Sequence, residues 1–466
     1  QIRSISTRGI AALTSQQVSA LSTATFDALT SAQLGALSSS AIRALTVGAV
    51  GTLTSSEIAD LPSRVIGALS TSGIAALTSD QISSLTGVQV AALTTAQIDV
   101  LTSDQIDALS TGAVAGLTST QLRSLTPEQF GSLSTDQMQS LSTRALADLG
   151  STLWAAVATA EFAALSTSQL AALGSAALGS AQLDTLTSSE LAVLSTRTIA
   201  SITPTSFTTL DTAQLAALTS AQAAALTTAQ IAGLTSAHFD GMTAAAIGAL
   251  TSTQLRALTT DTFGSLSTSQ VAAINTRAFA GLESAQITAL SSEQIGSLTT
   301  ALLASLSSGA IAGLTTEDLD VLESTDIAAI SSRAIAGLST ANVAALDSAQ
   351  LGGLTTAQVS SLTTAQVRAL TSDQIVSFSS GQFSALTSAQ IRNLSTNSIV
   401  ALGTDKVAAL NSRIIGALST EQLVAMTTAQ IEALTPAQVG ALGSAAIRAL
   451  EGADLQLFST EDIAAI

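Results

Sequence analysis

From Leu354 to Leu370 the chain reads L-T-T-A-Q-V-S-S, then L-T-T-A-Q-V-R-A, then L, and nearly all of its 466 residues repeat that eight-residue unit. A repeat this short overrides the two to four domains that length alone implies, because each unit can bury its apolar side only against other units. Counted from its leucine, the octad is apolar at position 1 and Ser or Thr at positions 2 and 3. Position 4 is variable, position 5 usually Gln, position 6 Ile, Val, Leu or Phe, position 7 variable, and position 8 Ala or Ser.

These positions spell a helix start. With Thr355 as N-cap, Gln358 falls three residues on and completes a capping box, while Leu354 and Val359 flank the cap as a hydrophobic staple. Pro127, Pro204 and Pro436 all occupy position 3, the first helical residue, where a missing N–H matters least. Charges agree with the helix dipole. Glu57, Glu190 and Asp326 sit at position 5 and Asp80 and Asp104 at position 4, whereas Arg43, Arg123, Arg256, Arg368, Arg392 and Arg448 sit at position 7.

One continuous helix is excluded, because eight residues advance 800° and successive leucines drift by roughly 80°. The chain must bend at each Ser/Thr pair, giving helices of about six residues that persist only through packing. The predicted fold is all-α, a solenoid of very short helices restarting every eight residues. A β-solenoid is the minority alternative. Against it, position 8 is mostly Ala, positions 4 and 5 carry Ala, Gln, Asp and Glu, and apolar positions 1 and 6 have opposite parity.

The octad register holds from Ile5 to Leu173, with Val157 standing for a leucine, and slips once: Leu173 and Leu186 are 13 residues apart where two octads need 16. Three residues have been lost near Gly174 to Asp184. A longer period lies on top. Arginine occupies position 4 at Arg8, Arg64, Arg144, Arg197, Arg277, Arg333 and Arg413, with spacings of 56, 80, 53, 80, 56 and 80. Restoring the lost residues gives alternating runs of 7 and 10 octads, a super-repeat of 136 residues. The segments from Leu37, Leu173, Leu306 and Leu442 align accordingly. The expected organisation is one continuous solenoid of super-repeats at 1–140, 141–273 (three residues deleted), 274–409 and a partial 410–466.

If 17 octads close on five turns, each coil holds about 27 residues and the seven arginines share one face. A cation at the second helical position opposes the helix dipole, and these octads also lack the box Gln, having Gly9, Val65, Ala145, Thr198, Ala278, Ala334 and Ile414 instead. Two readings stand: an inter-coil or inter-chain pairing site for carboxylates, or inheritance by duplication. The period also predicts a longer parent chain, since the next arginine is due 56 residues after Arg413, three beyond Ile466.

Composition argues against several classes of partner. The chain is 47% hydrophobic, 10% charged and 2% aromatic, with no Cys, no Tyr, a formal net charge of −17 and Lys406 as its only lysine. Nucleic acid and anionic membranes need basic patches that this chain lacks. Ser/Thr pairs interrupt every apolar run, so nothing reaches the ~18 residues of a membrane span.

The sequence offers little chemistry. His238 is the only histidine and stands where Gln usually stands. Without Cys, a second His or a D-x-D-x-D-G loop, neither a zinc site nor an EF-hand can be built, and no phosphate-binding glycine loop opens a helix. A Ser–His–Asp triad would have to recruit a serine that is already a repeat position. Trp154 and the phenylalanines sit at position 6, or at position 1 for Phe378 and Phe458, where core filling is expected. Capping occupies the position-2 hydroxyls, which argues against an ice-binding array and leaves position 3 open to glycosylation. The expectation is a non-enzyme with no cofactor and no metal.

The L-T-T-A-Q-[IV]-x-A octads from Leu93, Leu226, Leu354 and Leu362 resemble repeat tracts of very large secreted or surface proteins of proteobacteria. The resemblance implies an extracellular fibre, adhesin stalk or surface layer. A surface of Ser, Thr, Ala and Gln with few charges favours association in the same direction. The leading expectation is a self-associating structural subunit of an extracellular filament or layer, forming a homopolymer without membrane insertion. The alternative is an adhesin stalk or protein-binding solenoid.

Overall fold

Nearly every octad among the described residues makes one short helix. In a computed structural model, which describes residues 2–147, 149–175 and 178–466 with the side chain of Ala453 excepted, short helices follow one another at octad spacing and no strand occurs among the described residues. Gln1, Asp148, Ala176 and Ala177 lie outside them, so the sequence-placed deletion is described only at its flanks.

The octad at Leu354 shows the local logic. Thr355 is the N-cap, with extended backbone at ψ 158°, and its side chain accepts the Gln358 N–H at 3.2 Å while Gln358 Oε1 accepts the Thr355 N–H at 2.7 Å. The helix Thr356–Ser361 then stops at Leu362, whose backbone turns extended at φ −54°, ψ 139°. No described residue has positive φ, so the helices end without the left-handed residue that commonly closes one. The three prolines anticipated at the first helical position are there: Pro127, Pro204 and Pro436 open their helices. Removing the cap hydroxyl in Thr355→Ala is expected to destabilise the surrounding coils by about 0.5–2 kcal/mol in urea titrations.

Helices of four to six residues cannot persist alone, and packing supplies what propensity does not. Positions 1 and 6 point inward, as Leu354 and Val359 do, and the buried apolar residues follow those two positions along the chain. Helices three octads apart pack together, for example Ala244–Gly248 on Thr268–Ala273 and Ser324–Ala329 on Ser348–Gly353. Some coils approach to backbone contact. A Cβ on Gly116 would lie 2.1 Å from the carbonyl oxygen of Gly87, so only glycine fits there.

The chain divides into two units, Gln1–Leu234 and Thr235–Ile466, each an all-α solenoid of short helices. Unit 1 holds the only tryptophan. Trp154 is fully buried and meets Phe130 and Phe162 edge-on, with centroids 5.7 and 6.2 Å apart. These aromatics fill core, as their position in the octad predicts. The indole Nε1 is itself buried without a hydrogen-bond partner.

Candidate functional site

The polar groups that converge inside the molecule do so between coils. Gln358 is 2% exposed, although it lies in the first turn of a short surface helix. Its Oε1 completes the capping box and its Nε2 donates to the carbonyls of Ile327 and Ile330, at 2.8 and 2.6 Å. Those carbonyls close the helix Ser324–Ala329 one coil earlier, where the last turn leaves acceptors unfilled. One amide thus serves the start of its own helix and the end of another.

The arrangement repeats as a ladder within each unit. In unit 1 Gln89 donates to Ile58 and Leu61, and Gln230 to Ile199 and Ile202. In unit 2 Gln382 donates to Leu351 and Leu354, and Gln438 to Val407 and Leu410. The acceptors lie 31 and 28 residues back. Each bond contributes about 0.5–1.5 kcal/mol net, and more is lost if an acceptor is stranded.

Departures from Gln follow from the same geometry. Asn342 reaches only one carbonyl, Leu314, at 2.8 Å. Lys406, the single lysine, stands at position 5 and its ammonium donates to the carbonyls of Val376 and Phe378, the latter at 2.6 Å. Burial there holds its pKa below the ordinary lysine value. Glu57 and Glu190 keep the cap, each accepting its threonine N–H at 2.8 Å, but a carboxylate has nothing to donate, and both side chains are only half-buried. His238 replaces the cap too, its Nδ1 accepting the Thr235 N–H at 3.0 Å.

The deletion leaves its signature in the ladder. Gln182 donates to Val157 and the Thr198 hydroxyl to Leu173, both 25 residues back, three fewer than the usual 28. Past the gap, Gln214 again reaches Leu186 across 28 residues. The rung geometry survives the loss.

Two of the periodic arginines make contact between coils. Arg8, Arg64, Arg144, Arg197, Arg277, Arg333 and Arg413 are all exposed. Arg64 and Arg413 do reach the preceding coil, but onto backbone: Arg64 Nη1 donates to Leu37 O at 3.2 Å, and Arg413 Nη2 to Ser384 O and Leu386 O at 2.7 and 2.8 Å. Leu37 and Leu386 are the C-caps of their helices. The cation that opposes its own helix dipole therefore sits at the negative end of a neighbouring one. The one ion pair among the described residues, Arg256 with Glu283 at 3.5 Å, involves a position-7 arginine. At position 4, carboxylates sit at helix starts as expected, and backbone hydrogen bonding lowers the pKa of Glu317 and Glu461.

Sequence reasoning assigned Gln its cap and missed its second bond. The signal was the choice of amide: Glu completes the same box and suits the dipole better, so a chain that prefers Gln is using the N–H that Glu lacks.

These features define a helical-repeat solenoid whose buried polar groups are spent on holding coil to coil. Residues 87–111, 111–143, 263–300, 319–356, 343–380, 375–412 and 415–444 match the ALTTAQ repeat. A comparison with curated proteins finds no match. Among solved structures, one match is to a homology model of the full-length AP-3 complex in an intermediate open conformation, 10% identical, covering 98% of this chain and 80% of that one. Its TM-score of 0.19 is too low to carry any argument. No helix among the described residues is long and apolar enough to cross a membrane.

Proposed function

We propose that this chain is a structural element, a repeat solenoid that self-associates into an extracellular filament, fibre or surface layer, and that it performs no catalysis. The observation that carries this reading is the use made of the chain's reactive and polar side chains. The only lysine is a rung, the only histidine a helix cap, and the glutamines are coil-to-coil ties. Such a chain gains from every added octad, which is the economy of a fibre. Extracellular placement follows from the resemblance to repeat tracts of large surface proteins, and a surface dominated by small uncharged residues supports lateral association.

Electron microscopy of the purified full chain in its native state tests the proposal. Ordered filaments or sheets are expected at raised protein concentration. Isolated particles under every concentration and ionic condition would overturn self-assembly and leave the second reading, a protein-binding solenoid or adhesin stalk. That reading draws on an open groove in unit 2 between the helices Thr260–Gly264 and Ser284–Thr288, lined by Asp261, Ser265, Ala285 and Thr288 among others.

A further inference from the structure

The ladder is interrupted, and its two longest interruptions fall at one place in the long period. In unit 1 five consecutive octads carry Ala41, Ala49, Glu57, Val65 and Gly73 at position 5, and none of these side chains can donate. In unit 2 Leu302, Ala310, Asp318, Asp326 and Ala334 do the same over five octads. Residues 39–75 and 307–338 are each longer than the 28 residues that a rung spans, so in each unit one whole coil lacks an amide tie to the coil before it. The side-chain ties from these stretches to the coil before are sparse: Ser15 to Ser40 O and Arg64 to Leu37 O for the first stretch, Ser292 to Asp318 and Thr288 to Gly313 O for the second.

Two further observations fall on the same place. The octad after Leu306 does not complete an α-helix and keeps only a 3-10 turn, Ile311–Gly313. The three-residue deletion follows Leu173, which aligns with Leu37 and Leu306.

We infer that the seams between residues 39–75 and 307–338 and the coils before them are compliant joints, at which each unit opens and flexes first. The following coil does tie to both stretches, as Gln89 does to Ile58 and Gln358 to Ile327. Apolar packing is non-directional and tolerates sliding, whereas an amide bonded to two carbonyls and its own cap fixes the register of both coils. Local opening therefore concentrates where packing acts without rungs. The joints do not depend on the filament proposal, since they would flex a monomer as well.

Hydrogen exchange of the full chain, read by mass spectrometry of peptides, tests this. Backbone amides in helices of 39–75 and 307–338 are expected to exchange about tenfold or more faster than those in the laddered stretches 78–109 and 348–392. Ala49→Gln with Glu57→Gln should restore two rungs and slow exchange in 39–75 about tenfold while leaving 307–338 unchanged. The site at Ala49 aligns with Gln182, which makes the bond. Conversely, Gln366→Ala should speed exchange within 348–392. Equal exchange in gaps and ladder, or installed rungs without local slowing in a chain that retains its helical dichroism, would overturn the inference. If the installed rungs prevent folding, the Gln366→Ala arm decides, and unchanged exchange there overturns it equally.

Discussion

Gln358→Glu is expected to destabilise unit 2 by about 3 kcal/mol in denaturant titrations at neutral pH. The carboxylate keeps the cap with Thr355 but removes the amide donor of the Ile330 carbonyl, at roughly 1–3 kcal/mol, and leaves the Ile327 carbonyl with only the Ile330 N–H. It also sets a negative charge against two negative oxygens. Glu57 shows the available relief, which is to swing partly into solvent and abandon the rung. The pH dependence separates this account from a lost packing contact. Carbonyl neighbours raise the folded pKa of the introduced carboxyl, and its protonated form can donate as the amide did. The stabilisation from that protonated form is fully present below the unfolded value of about 4.3 and is lost as pH rises through the raised folded pKa. The variant should therefore approach the parent at acid pH and fall furthest behind near neutrality. A deficit that ignores pH would show that the rung is not what the substitution removed.

Trp154→Ala is expected to cost about 3–5 kcal/mol, because a fully buried indole leaves a cavity between Phe130 and Phe162 that helices of four to six residues cannot close. Trp154→Phe should cost far less. It keeps an edge-on ring and removes a buried N–H that has no acceptor, so part of the lost packing is returned. Thermal unfolding followed by circular dichroism checks both. A phenylalanine variant as weak as the alanine one would mean that indole volume alone holds these coils.

Much of this was legible in the octad because several local signals point to one backbone state. Thr355, Gln358 and the prolines at position 3 each specify a helix start, and an eight-residue period forbids the helix from continuing. What the octad does not carry is contact across 28 residues. Gln358 looks complete when its cap is satisfied, and nothing near it in sequence shows that Ile330 O is waiting. The acceptors of Arg64 and Arg413 are hidden from the octad for the same reason. Arg413 breaks the dipole rule of its own helix, and the helix it serves, Ser380–Ala385, ends 28 residues earlier. The rule was sound, and the relevant helix was another one.

The fixed span of the rungs also governs how such a chain is assembled in time. Gln33 closes on Ile5 and Gln438 closes on Leu410, both across 28 residues, so the loop that must be shut to add a coil is the same at either position. Mean contact separation does not grow with chain length, and relative contact order falls as octads are added, which places even a very long version among fast-folding topologies. During synthesis at about 5–20 residues per second, a new coil can close every few seconds behind the ribosome. Gene duplication by whole octads then lengthens the protein without slowing its folding.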